Sequence, residues 1–502
     1  MTRHVKDSGR FRTASGSFDV YVPFVEWGLR LLRADGRLGY IVPSRFLKAD
    51  YGARLRALLA ADHLVEEIID FGDAQIFEDA TNYTCILIAD RRGQPTVQFR
   101  AVSGTSTAVR QELAEGRLPP AESYPVAGLG RAPWVLVPTR ERAILDVMAA
   151  RSARLDAVTS GIFTGLQTSA DDVYIVHDLG LRGGLRRVRT RSGDVLDLED
   201  DLLHPLASGP DVERYAFRHL RTLLLFPYAP GTDGITRLLD EPVLRKLPLT
   251  WAYLQANETT LRAREKGKMD HAEWWAYVYP KSLGHHVHPK LGVAATVMRL
   301  EVAADLAGAV HFHNVRVNGI LPRPGGVPLA TLAAILNARA VDYAFRRGSV
   351  PLANGHFQAN KQFIAPLPIP TDIPPDLHRH GSELCTTWQA IHAERGAYLA
   401  HLQSVIGADP YALPGSRALT AYDMHTTAEL LSILDKAQGK LAVNPRTRAA
   451  REVVTRDLEA STAKVTALRR TAAELQATVD DLVFDAYGLS IAQREVVDSE
   501  YD

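Results

Sequence analysis

FDVYVPFVEWGLRLLRADGRLGYIVPSRFLKADYGARLRALL, residues 18–59, decides the class of the amino-terminal part. Phe18, Val22, Val25, Leu29 and Leu32 recur at steps of three and four, which places them on one face of a helix. Ala34-Asp35-Gly36 stops that helix. Leu38 to Val42 is a short apolar run closed by Pro43 and reads as a strand, and a second helix passes through Leu55, Leu58 and Leu59 from near Tyr51. Working outward, Val65 to Phe71 and Tyr83 to Ile88 read as further strands, and Val97 to Val102 extends the sheet past the Arg91-Arg92-Gly93 turn. Helix, strand, helix, strand, strand is the order of an open α/β sheet.

The rest of the chain sets the bounds. A length of 502 residues gives a prior of roughly three domains. Hydrophobic residues at 46% and charged residues at 23% exclude a disordered or fibrous chain. Lys+Arg and Asp+Glu both number 58, so attraction to an anionic partner requires local clustering. Cys85 and Cys385 are too few for a disulfide framework or a cysteine-rich zinc site, and a reducing cytoplasm is expected. The start, MTRHVKDSGRFRTASG, lacks the apolar region of a secretory signal. No stretch approaches the ~18 apolar residues of a spanning helix, so the expectation is a soluble protein with no membrane partner.

Residues 104–133 are rich in Gly, Pro, Ser and Thr and read as a linker. Residues 134–370 carry short strands, many prolines and glycines, and the Trp274-Trp275 pair, as expected of a mixed α+β domain. Beyond Thr371, Val465, Leu468, Ala472, Leu475, Val479 and Leu482 mark a helix that pairs with another. Leu384 to Leu402 is the expected partner, either as a coiled coil or as a helical hairpin packed on the middle domain.

Three chemical readings can be weighed directly. A phosphate-binding or adenosyl-binding turn would need glycines between a strand and a helix, but Ser15-Gly16-Ser17 follows no strand, and P-loop, GxSxG and HExxH motifs do not occur. His285, His286, His288, His311 and His313 invite a metal reading. Without neighbouring carboxylates or cysteines in sequence they read as loop and strand residues, and no metal is expected. Arg182, Arg186, Arg187, Arg189 and Arg191 cluster around Gly183-Gly184 and Gly193 in what reads as a hairpin. Such a cluster suits a phosphate backbone as well as a solvated charged face. Arg214, Lys281, Lys290, Arg346, Arg347 and Lys361, interleaved with Tyr215, Tyr277, Tyr279 and Phe345, tilt the reading toward nucleic acid.

Residues 18–59, followed by VEEIIDFGDAQIFEDATNYTCILIA at 65–89, resemble the carboxy-terminal part of the catalytic domain in TaqI-like and Eco57I-like adenine-N6 DNA methyltransferases. The middle region strengthens the likeness. SGIFTGLQTSADDVYIV (160–176) resembles the opening of their target-recognition domain, LLHPLASGPDVERY (202–215) its "rG-DV-RY" segment, and LLLFPY (223–228) the strand that follows. WWAYVYP, HPKLGV, LAAILNARAVDYAFRR, FQANKQFIAPLPIP and, near the end, DLVFDAYGLS add to it.

The resemblance implies a partial Rossmann-like methyltransferase sheet over residues 1–103, a linker over 104–133, a DNA target-recognition domain over 134–370 and a helical hairpin or coiled coil over 371–502. It implies double-stranded DNA as the partner and a restriction-modification or phage-defence setting. By the same likeness Phe77 and then Tyr83 would stack on a flipped adenine, with core packing as the competing role. Thr164, Gly165, Arg214 and Tyr215 would lie close to DNA, joined by Arg186, Arg187, Arg189, Arg191, Lys290 and Lys361. Two family motifs are missing: the glycine-rich turn for S-adenosylmethionine and the Asn/Asp-Pro-Pro-aromatic catalytic loop. Pro374-Pro375 is followed by Asp376 and falls in the helical region. The expectation is that S-adenosylmethionine binds only with an amino-terminal half, and that the chain is either part of a split enzyme whose other half is a separate methyltransferase or nuclease chain, or a gene fragment that lost its start. The strand through Ile41 would then have a bare, apolar edge. The alternative function is a non-catalytic, sequence-specific DNA-binding specificity subunit.

Overall fold

The computed structural model describes residues 2–77, 83–102 and 104–501. Its amino-terminal part runs α1 (Tyr21–Leu31), β1 (Arg37–Pro43), α2 (Ala53–Ala61), β2 (Val65–Asp70), β3 (Thr84–Asp90), β4 (Thr96–Ala101) and β5 (Glu122–Pro125). The strand order is β1-β3-β2-β4-β5. β3 lies antiparallel between β1 and β2, β4 runs parallel to β2, and β5 antiparallel to β4. The sheet is therefore mixed, and β1 is an edge strand. Val22, Val25 and Leu29 of the sequence-read stripe share a core with Leu55, Leu59, Ile68 and Leu87.

Residues 104–133, expected to be a linker, are part of this body. They form a helix (Ser106–Ala114) and β5, and Tyr124, Val126 and Trp134 enter the sheet's core. The Val137 N–H donates to the Tyr124 hydroxyl at 2.8 Å. A four-residue strand has too little alternation to stand out from its Gly- and Pro-rich flanks, so only its packing reveals it.

The middle region contains β6 (Thr159–Thr164), β7 (Ile175–Arg182), β8 (Leu185–Arg189), β9 (Val195–Glu199), β10 (Leu203–Ala207), β11 (Thr222–Leu225), β12 (Lys290–Ala294), β13 (Val302–Asp305), β14 (His311–Phe312) and β15 (Val317–Pro322). They form one sheet ordered β9-β8-β7-β11-β10-β14 and a second ordered β13-β12-β15-β6. Helices follow: α3 (Leu329–Leu336), α4 (Arg339–Gly348), α5 (Pro375–Ile406), α6 (Arg448–Tyr487) and α7 (Ile491–Asp498).

α5 and α6 form the expected hairpin. They run antiparallel, since His401 meets Asp457 at 2.9 Å while Glu394 accepts from the Ser461 hydroxyl at 2.6 Å. Tyr398, Leu402, Tyr422 and Leu458 close a core at its far end. The near end behaves differently. Leu384 of α5 and Val479, Val483, Phe484 and Tyr487 of α6 sit in the same core as Leu291, Val293 and Ile320 of the second sheet and Leu332 and Ile335 of α3. No break in packing coincides with the 370/371 boundary.

Candidate nucleic-acid interface

The arginine hairpin exists. Gly183 and Gly184, both at positive φ, turn β7 into β8, as a tight hairpin requires. Alternation along β8 then divides its arginines. Arg186 shares a face with the buried Val188 and pairs with Asp200 at 2.8 Å and Asp178 at 3.3 Å. Arg187 and Arg189 point to the other face, opposite Asp197 and Val195. Arg191 is exposed and meets Asp172 at 2.9 Å. Arg187 and Arg189, with the exposed Arg182 beside the turn, thus carry charge this hairpin can offer a phosphate backbone, whereas Arg186 is held by its own acids.

Several expected surface residues lie inside. Lys290 is fully buried, its ammonium donating to Asp305 at 2.5 Å and to the His286 carbonyl at 2.8 Å. A lysine so enclosed serves the fold, and it does not reach DNA in this conformation. Tyr215 is also fully buried, at φ +65°, with its hydroxyl donating to Gln476 of α6 at 2.5 Å. Gly165 is set by close packing: a Cβ there would lie 2.3 Å from the His313 carbonyl oxygen. Thr164 at the end of β6 and Lys361 are exposed. Arg346 and Arg347 are tied to Asp342 and to Glu141, each at 3.0 Å, and the Tyr277 hydroxyl donates to Leu225 inside the first sheet's core.

The segment 202–215 therefore acts as a hub between sheet and helices. Ser208 and Asp211 form a capping box, and Glu213 contacts Arg218 at 2.6 Å, His392 at 3.1 Å and Arg395 at 3.7 Å. Arg395 continues to Asp423 at 2.8 Å, which also receives Arg469 at 2.9 Å. Burial alone would raise the Glu213 pKa, but His392, Arg218 and Arg395 hold it down at about 2. Nothing local signals this chain of charges, because its members lie on four distant segments.

The histidines gather without converging on a metal. His286 and His311 stack with ring centroids 5.4 Å apart, and His204 lies 4.5 Å from His311. Burial pushes the pKa of all three down, so they are neutral packing groups. His313 has a carboxylate partner that its sequence neighbours did not suggest, Asp171 at 3.3 Å, which raises its pKa. Among the described residues no group of histidine, cysteine and acidic side chains is arranged to hold a metal ion.

At the amino-terminal sheet, Ile41 is 46% exposed on the β1 edge, and Phe24, Trp27 and Leu31 form an exposed stripe on α1 opposite its buried face. Phe77 is 44% exposed and Tyr83 half-buried; residues 78–82 between them lie outside the described residues. The residues present do not fit S-adenosylmethionine by themselves. Gly16 adopts φ +71° in a loop that no strand precedes. At the end of β1 the Pro43 carbonyl accepts from Tyr21, and the Ser44 N–H donates to the Tyr83 carbonyl at 3.0 Å.

Residues 2–77 match the model of the Eco57I restriction-modification methylase family. The chain is 27% identical over 280 residues to the Escherichia coli type II restriction enzyme and methyltransferase RM.Eco57I, covering 53% of this chain and 28% of that protein. It is 24% identical over 388 residues to the Pseudomonas aeruginosa type II methyltransferase M.PaeR7I, covering 74% of this chain and 62% of the relative. It thus spans less than two thirds of both. Among solved structures, the type IIL restriction-modification enzyme MmeI in complex with DNA aligns at a TM-score of 0.44 and 11% identity, over 92% of this chain and 54% of that one. The type IIG endonuclease BpuSI aligns at 0.30 and 14%, over 96% and 51%. The likeness to Eco57I-like enzymes read from the sequence is borne out. Among the described residues no helix is long and apolar enough to cross a membrane.

Proposed function

We propose that these residues are the target-recognition portion and part of the catalytic domain of a site-specific adenine-N6 DNA methyltransferase in a restriction-modification or defence system. The observation that carries this reading is the β1 edge. Within the stretch matching the methylase family, a strand with one partner exposes Ile41, beside an α1 face exposing Phe24, Trp27 and Leu31. An apolar edge of this kind calls for another strand. A cofactor half bearing the glycine-rich turn and the Asn/Asp-Pro-Pro-aromatic loop, neither of which occurs in residues 1–502, would complete the sheet there. S-Adenosylmethionine would supply the methyl group from that half.

In this reading the present residues perform recognition and positioning. Arg187 and Arg189, with Thr164 and Lys361, would face the DNA backbone. Phe77, exposed near the sheet's end, would stack against an extruded base. The test is transfer of labelled methyl groups from S-adenosylmethionine to duplex DNA. The chain alone should be inactive and should not bind the cofactor; mixed with a polypeptide that carries those two motifs, it should methylate adenine. Cofactor binding by this chain alone, or a tight complex with that polypeptide that leaves DNA unmethylated, would overturn the reading. Sequence-selective duplex binding by such an inactive complex would instead favour a non-catalytic specificity subunit.

A further inference from the structure

Where α4, α5 and α6 meet the segment 202–215 lies a cavity of about 300 Å³, lined by Arg214, Arg299, Arg339 and Arg469 with Gln476 and Asp480. The carboxylates around it are already committed. Asp423 is shared between Arg469 at 2.9 Å and Arg395 at 2.8 Å. Asp342 lies 3.9 Å from Arg299 but 3.0 Å from Arg346, and it accepts from the Tyr501 hydroxyl at 2.7 Å. Asp480 accepts from the Arg339 backbone at 2.9 Å and from the Gln476 amide at 3.1 Å.

Among the described residues Arg214 has no ion-pair partner within 4.0 Å; its guanidinium donates to the Asn337 carbonyl. Glu301 and Asp480 both lie within electrostatic range of Arg214, and burial pushes both carboxyls toward their neutral form. Burial first, and then the charge of Arg214, lowers the Arg299 pKa. Like charges are therefore held together in a partly dry space with too little negative charge to balance them, an arrangement that a bound anion stabilises.

We propose that this cavity binds a phosphate group, held by the guanidiniums of Arg214, Arg299 and Arg469. Guanidinium forks match tetrahedral phosphate oxygens two at a time. A volume of about 300 Å³ is at the lower end for small-molecule sites, suited to a phosphate or pyrophosphate, or to one backbone phosphate of a passing strand. The proposal does not rest on the methyltransferase reading, since a free phosphate compound and a nucleic-acid backbone share this chemistry.

The test uses the full chain with inorganic pyrophosphate followed by calorimetry, and a 30-base-pair duplex followed by fluorescence anisotropy, for wild type, Arg214→Gln and Arg299→Gln. The expected result is saturable pyrophosphate binding in the wild type that weakens at least about tenfold in each variant, a loss of one charge-assisted contact. If pyrophosphate also displaces the duplex and the variants weaken the duplex similarly, the phosphate belongs to DNA. If duplex affinity is unchanged while pyrophosphate binding falls, the site serves a free phosphate compound. Absence of pyrophosphate binding together with unchanged duplex affinity in both variants overturns the proposal. Should a variant misfold, a saturable rise in wild-type melting temperature with pyrophosphate, absent with chloride at equal ionic strength, supports it; no such rise overturns it.

Discussion

Replacing Glu213 with glutamine probes the hub directly. The carboxylate touches Arg218, His392 and Arg395 and is only 16% exposed. These partners outweigh the effect of burial and hold its pKa at about 2, against an ordinary 4.5. Because the folded value is the lower one, the ionised form contributes stability that is fully present above the unfolded value and is lost as pH falls from about 4.5 toward about 2. At 1.36 kcal/mol per unit, the shift corresponds to roughly 3 kcal/mol at pH 7 and about half of that at pH 3. Glutamine mimics the protonated acid, so E213Q should lose most of this at neutral pH and progressively less in acid. Hydrogen exchange in residues 388–399 of α5 reads the effect locally, where a single melting temperature of a chain with several cores would blur it. Equal protection of wild type and variant at pH 7, or a difference that stays constant down to pH 3, would refute the coupling.

Three further outcomes are expected. Tyr215→Phe leaves the buried Gln476 oxygen without its donor and should cost about 1–2 kcal/mol in urea unfolding. Lys290→Met strips Asp305 of its buried partner and should cost about 3–5 kcal/mol, most of it recovered in the double variant with Asp305→Asn. Ile41→Lys on the exposed β1 edge should leave melting unchanged within about 0.5 kcal/mol. The same substitution should reduce concentration-dependent association seen by sedimentation.

The elements were legible where periodicity is long. The α1 stripe, the β1 to β4 run and the pairing of α5 with α6 follow from apolar spacing, because those residues bury the faces that the spacing marks out. The mixed order β1-β3-β2 and the inclusion of β5 depend on which strands meet in space, which spacing does not encode. The site was less legible for a related reason. Lysine, arginine and tyrosine types suggest a surface, yet Lys290 and Tyr215 are satisfied by partners elsewhere in the chain and lie inside. Arg189 is exposed and Arg187 half-buried on the face away from Val188, because strand alternation, a local property, sets which way each points.

The shared core between the second sheet and α6 bears on how the chain can be divided. Val479, Val483, Phe484 and Tyr487 pack against strand and helix residues between Leu291 and Ile335, and the Tyr487 hydroxyl donates to the Pro368 carbonyl at 2.7 Å. A fragment ending at Pro370 would expose that surface and lose both the Tyr215–Gln476 bond and the Glu213–His392 contact. Burying a large apolar side chain is worth about 1.5–3 kcal/mol, so removing four from one core costs about 6–12 kcal/mol, comparable to the whole margin of an ordinary domain. The sheet body that would read DNA and the helical hairpin thus form one mechanical unit. A ligand held in the arginine cavity between them would act on both through Arg214, next to Tyr215, whose backbone at positive φ bridges to Ala303 of the second sheet.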